Sequence, residues 1–175
     1  MLLATILSFP SKSSLGAEIE AEVKAVFLER FTRFIDWPQN NSNPSTSFNL
    51  CVLQDQPFTE VLTALYRTKT IKNKPISIIP IENEKQIEVC ELLFIPASFD
   101  NQLSEILAAT HGRPILTIGE SHEAAVQGII IGLYFQENKP RFSINERALQ
   151  ASKLHMSNQL LRIAKLVEPT VKSSE

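Results

Sequence analysis

Four stretches, "FNLCVL" (48–53), "PISIIPI" (75–81), "LLFI" (92–95) and "PILTI" (114–118), limit the fold more than anything else in the chain. Each is a short, nearly continuous apolar run. A strand with one wet face alternates apolar and polar residues, whereas an uninterrupted run has both faces covered. Between the runs lie helical segments, Phe58 to Tyr66 and Asp100 to about Thr110, the second with Asp100 as a good N-cap. Strands covered on both faces and separated by helices specify an α/β fold: three layers, with a mostly parallel sheet flanked by helices.

The two ends of the chain read differently. Ile19, Val23, Val26, Phe27, Phe31 and Phe34 recur at steps of three and four, which is an amphipathic helix with that face buried. It stops at Asp36-Trp37-Pro38, because a residue before proline is pushed out of the helical region. The polar stretch "QNNSNPSTS" then forms a loop. Near the other end, Ile129 to Phe135, the turn "ENKP" and Arg141 to Ile144 make an antiparallel hairpin at the edge of the sheet. Asn145 caps a short helix through Gln150, and Ser157 caps a last one whose buried stripe is Leu160, Leu161, Ala164 and Val167.

A length of 175 residues favours one domain, placed at 18–168 and followed by a disordered tail at 169–175. Residues 1–17 resemble the tail end of a secretory signal. "MLLATILSF" is a short apolar block, and Ser14 and Gly16 are small residues spaced for cleavage after Gly16, although the basic leader is missing. A frayed N-terminus is the alternative. No run reaches the roughly 18–20 apolar residues of a membrane helix, so the chain is not expected to be membrane-embedded. A net charge of −2 speaks against nucleic acid as a partner. The densest basic stretch, Lys69 to Lys74, reads as a solvated turn.

"ILTIGESH" (115–122) poses the sharpest chemical question, since a buried strand that breaks at glycine and presents Ser121 resembles a hydrolase nucleophile turn. Such a turn needs a second small residue where this chain has Glu123, and a histidine later in the chain. The later histidine, His155, lies between Leu154 and Met156 with nothing to bring it to Ser121. The three histidines have no ligand spacing, and no glycine fingerprint follows the first strand, so neither metal nor cofactor is expected. No catalytic residue is assigned. Ser121 reads as the cap of a short helix. Gly119, Glu120 and Ser121 also stand where open α/β sheets place ligands, which makes them a candidate crevice for an anion.

Cys51 and Cys90 lie in or beside apolar runs, 39 positions apart. If those strands are neighbours, a disulfide fits the geometry; two buried free thiols are the alternative. Apolar residues that a half-buried hairpin and its flanks could present to a protein partner are Phe142, Leu154 and Met156, with Trp37 as a further candidate.

Taken together and in order, "AEVKAVFLERFTRFIDWP", "FNLCVLQDQPF", "CELLFIPAS", "ILTIGES", "GIIIGLYFQENKPRFSINERAL" and "SNQLLRIAKLV" resemble the YfiR family of periplasmic proteins over residues 18–167. Many members have glycine where this chain has Gln54. The resemblance implies a non-enzymatic periplasmic regulator that binds and represses the sensor domain of an inner-membrane diguanylate cyclase. Cyclic-di-GMP signalling and biofilm formation would fall as a result. It further implies an outer-membrane lipoprotein that sequesters the regulator, a homodimer, and a structural disulfide at Cys51 and Cys90. Some relatives carry a second cysteine pair, which this chain lacks. A periplasmic small-ligand binder using the crevice at the end of strand 114–118 is the competing reading.

Overall fold

The computed structural model describes residues 12–38 and 46–167. Helix α1 (Lys12–Thr32) leads into a short strand, β1 (Ile35–Asp36), and the alternation of strands and helices starts at β2 (Phe48–Leu53) and α2 (Gln56–Tyr66). A tight hairpin, β3 (Thr70–Ile71) and β4 (Lys74–Ile81), a 3-10 turn at Glu84–Val89 and β5 (Leu92–Ile95) come next. Then follow α3 (Leu103–Thr110), β6 (Leu116–Gly119), α4 (His122–Gln127), β7 (Ile131–Gln136) and β8 (Lys139–Asn145). The last described elements are α5 (Glu146–Ala151), β9 (His155–Met156), α6 (Asn158–Ile163) and β10 (Lys165–Val167).

The main sheet runs β10-β8-β7-β6-β5-β2-β4-β3. Neighbours from β4 through to β7 are parallel, as are β8 and β10, while β7–β8 and β3–β4 are antiparallel. The mixed α/β architecture expected from the apolar runs is the one observed. Every residue of β2, β5 and β6 is buried, because successive side chains feed two separate cores. Leu50, Val52, Phe94 and Ile118 pack with Leu28, Phe31, Leu62 and Leu160 from α1, α2 and α6. On the opposite face Cys51, Leu53, Leu93 and Ile95 pack with Leu103, Ile106 and Ala124 from α3 and α4. Two tight turns use paired left-handed residues, Lys72-Asn73 (φ 51° and 62°) and Glu137-Asn138 (φ 51° and 57°). Such a pair matches the right-handed twist of the strands it joins.

Several expectations are corrected. The run 75–81, expected to be covered on both faces, forms β4 beside the short edge strand β3, where only Ile81 is buried and Pro75 and Pro80 are exposed. The buried side of α1 is Ala25, Leu28 and Phe31, continuing to Ile35, whereas Ile19 and Val26 are exposed and Val23, Phe27 and Phe34 lie at the margin. Small Ala25 lets α2 approach closely enough for the Tyr66 hydroxyl to donate to its carbonyl, which sets the roll of the helix. Asp100 caps nothing. The Phe99 N–H donates to the Pro96 carbonyl in a 3-10 turn, α3 starts only at Leu103, and Gln102 holds the cap position without a side-chain bond. Finally, the last helix ends at Ile163; Ala164 is extended, and Val167 belongs to β10 instead of a helical stripe. The hairpin is therefore not outermost, since β10 pairs along β8. Residues 1–11 of the expected signal segment and the expected tail at 169–175 lie outside the described residues, while Lys12–Gly16 form the start of α1.

Candidate functional site

Gly119 ends β6 beside Gly132 of β7, and α4 crosses directly above this pair. Gly119 does not adopt a left-handed conformation, so its role is the missing side chain and not the sharp turn that its position suggested. A Cβ there would strike the Cβ of Ala124. Ser121 caps α4: its hydroxyl accepts from the Ala124 N–H at 2.9 Å. We expect Ser121→Ala to cost about 1 kcal/mol of unfolding free energy, the loss of one cap, as read from urea denaturation.

Glu120 is already engaged. One carboxylate oxygen takes the Lys24 ammonium of α1 and the other accepts from the Ala97 N–H at 3.0 Å. Burial alone would lower the pKa of Lys24, but its bonds to Glu120 and Glu20 outweigh this and hold it above the usual lysine value. At the candidate crevice of Gly119, Glu120 and Ser121, the Glu120 carboxylate is thus held in an ion pair between α1 and the end of β6.

His122 offers the other arrangement that could carry chemistry. Its Nδ1 lies 3.2 Å from Ser143 Oγ and its Nε2 3.4 Å from Lys165 Nζ. An ammonium only donates, so the network assigns the ring proton to Nδ1, where it points at Ser143. An imidazole in that tautomer cannot take the serine proton, and Ser143 is fully buried. The three groups brace β10 against β8 and α4.

The topological switch point lies elsewhere. The chain leaves β2 toward β4 and leaves the adjacent β5 toward β6, so the crevice opens between their C-terminal ends. A hollow of about 150 Å³ stands there, walled by Leu53, Gln54, Glu82, Phe99, Gln102 and Glu105 among others. Sites enclosing a drug-sized molecule are roughly 300–1,000 Å³, and this rim is acidic. Gln54 takes φ 43°, which accounts for the glycine that the resemblance places there. These walls come from three separated stretches, 53–54, 82–87 and 99–106, and no local pattern in the sequence marks them as neighbours.

Cys51 and Cys90 are joined as a disulfide with Cα atoms 5.8 Å apart, because β2 and β5 are neighbours in the sheet. The other singled-out side chains face inward to different degrees. Leu154 and Met156 are buried in the α1-side core, with Met156 in a short antiparallel ladder against Ile35, so neither offers a contact surface. Phe142 is half-buried, its ring edge-on to Phe31 at 5.1 Å. Trp37 is half-buried too. Its ring meets Phe48 edge-on at 5.2 Å and its Nε1–H donates to the Glu91 carbonyl at 3.3 Å, which anchors the segment after α1.

Glu91 went unnoticed in the sequence because it stands next to an apolar run. Its side chain is buried, and Oε2 accepts from the Asn49 N–H at 2.7 Å. Burial pushes its pKa up, further than the Asn49 bond and the charge of Lys74 pull it down. The folded protein therefore binds this proton more tightly than the unfolded chain does. Stability from this group falls as pH rises from its unfolded value, near 4.5, through the raised folded value. Glu91→Gln removes that slope. We expect a flatter profile of urea midpoint against pH on the acid side, with stability at neutral pH equal to or above that of the parent.

Among solved structures, a conserved domain protein from Vibrio cholerae O1 biovar El Tor str. N16961 is similar, with a TM-score of 0.55 and 10% identity. The alignment covers 83% of this chain and 59% of that one, so the chain spans about three-fifths of that protein's length, and at this identity the likeness concerns the fold alone. No curated protein matches the sequence at a significant level. The model of the YfiR/HmsC-like family matches residues 21–165, which runs from the middle of α1 through every strand of the sheet to the first residue of β10. On that match the chain belongs to the YfiR/HmsC-like family.

Proposed function

We propose that this protein is a periplasmic, non-enzymatic regulator that binds the sensor domain of an inner-membrane diguanylate cyclase and holds it inactive. Cyclic-di-GMP signalling and biofilm formation fall as a result. The family match over residues 21–165 carries this reading. The Cys51–Cys90 disulfide supports it, because such bonds persist in oxidising compartments such as the periplasm. Among the described residues no helix is long and apolar enough to cross a membrane.

The working unit is residues 18–168, with cleavage after Gly16. Leu15 to Ile19 are all exposed, so cutting there leaves both cores untouched. Repression is a population shift: the regulator binds the inactive sensor more tightly than the active one. Moving the cyclase from almost fully on to almost fully off requires about 10⁴-fold preference for the inactive state. An outer-membrane lipoprotein that sequesters the regulator, and pairing of the regulator into a homodimer, complete the proposal.

Deletion of the gene in its host tests it, combined with co-purification of the tagged protein with membrane diguanylate cyclases. Raised cyclic-di-GMP together with recovery of one such cyclase through its periplasmic domain supports the reading. Unchanged cyclic-di-GMP and no cyclase recovered overturns it.

A further inference from the structure

β10 is the outermost strand of the main sheet, paired with β8 on one side and, among the described residues, with no strand on the other. An open edge presents a row of backbone N–H and C=O groups ready to pair with another strand. The two faces flanking this edge have opposite chemistry.

On one face Lys165 stands beside Ser143 of β8. Side chains two apart share a face, so this surface continues along the hairpin through the pairs Tyr134↔Arg141 and Gln136↔Lys139. Helix α4 lies over Gly132. Beyond it, Lys139, Arg141 and Lys165 are exposed, and none of the three makes an ion pair among the described residues. The carboxylates adjoining this face in the chain are Glu123 beside His122 and Glu137 in the hairpin turn. On the other face Leu166 is 49% exposed. Leu161, Ala164 and Leu166 line an open hollow there, together with Asn158 and Arg162.

We propose that an extended segment of a partner protein, with side chains alternating between acidic and apolar, adds to β10 as a further strand of the sheet. Main-chain bonds to the edge supply affinity, and the alternation supplies specificity, because successive side chains of an added strand meet opposite faces. Acidic residues reach Lys165 and Arg141, while apolar ones cover Leu166 and the hollow beside it, lined by Leu161 and Ala164. A second copy of this chain is a poorer occupant, since it would bring its own Lys165 and Arg162 to the same edge. The inference names the contact chemistry of the partner in the function proposed above. Its test uses no cyclase, so either reading can fail without the other.

The probe is a labelled, end-capped peptide that alternates Glu and Val, compared with a peptide of the same composition in two blocks, all Glu and then all Val. The alternating peptide is expected to bind and to raise amide hydrogen-exchange protection across residues 165–167. Lys165→Glu and Leu166→Lys should each weaken binding roughly tenfold, the scale of one lost charge-assisted or apolar anchor. Arg141→Glu serves as a second charge reversal that leaves the Lys165–His122 contact in place, and thermal melts of all three variants report folding. Equal binding of the block peptide overturns the proposal, and so does unchanged protection at 165–167. Binding of phosphatidylglycerol vesicles without binding of the peptide, or pairing of the chain with itself that Leu166→Lys abolishes, would also overturn it.

Discussion

Replacing Cys51 and Cys90 together with alanine will lower the unfolding free energy by about 4 kcal/mol, the chain-entropy value for a loop of this size. The bond spans 39 positions and closes a loop containing α2, β3 and β4. It ties the middle of β2 to the residue just before Glu91 and β5, so opening it frees the unfolded chain far more than it perturbs the folded one. Both cysteines are buried. Reductant should therefore act slowly on the folded protein and quickly once the chain opens. Urea denaturation of parent and double variant, with and without dithiothreitol, measures the difference directly. A loss below about 1 kcal/mol would mean that the sheet holds β2 and β5 together without the bond, and the argument from loop closure would fail. The same result bears on function, because a chain that depends on this bond reaches its full stability only where the surroundings are oxidising.

Gly132→Ala is the substitution with the next largest expected cost, about 3 kcal/mol, at the upper end for forcing one methyl into a packed site. The added Cβ would strike the carbonyl oxygen of Ser121 and come within 2.9 Å of Ser143 Oγ and 3.2 Å of the Ala125 Cβ. A flexible side chain can swing aside, but a backbone oxygen at the start of α4 moves only if the helix moves. Lifting α4 would also disturb the His122 bonds to Ser143 and Lys165, and with them the hold on β10. Gly16→Ala, made in the uncleaved chain, is the natural control. Nothing lies within 4 Å of a Cβ at Gly16, which sits on an exposed stretch of α1, so alanine there should be neutral or stabilise the helix by up to about 1 kcal/mol. Urea midpoints that fall equally for both variants would show that close packing at Gly132 is not the cause.

The parts of the fold legible in the sequence are those decided by short-range chemistry. "FNLCVL", "LLFI" and "PILTI" read as strands covered on both faces, and they form β2, β5 and β6 at the centre of the sheet. Asn145, Ser157 and Ser121 read as helix caps, and each accepts from a backbone N–H two or three residues ahead. Both the nature of such a run and the partner of such a cap are settled within a few residues of chain.

Other features depend on what happens to lie alongside. Lys165–Val167 carry a helical pattern of their own, and they become β10 only because β8 presents a free edge there. Asp36 and His155 pair across 119 positions in a ladder that neither segment announces. Glu120 looked available for a ligand because Lys24, 96 residues earlier, could not be placed beside it from the sequence. The sequence by itself thus determined the central strands, their cover on both faces and the caps at Ser121, Asn145 and Ser157, because local periodicity and capping carry that information. The edge strand, the ion-paired Glu120, the acidic hollow at the switch point and the roll of α1 were decided only by tertiary structure, because each depends on groups far apart in sequence meeting at a few ångströms.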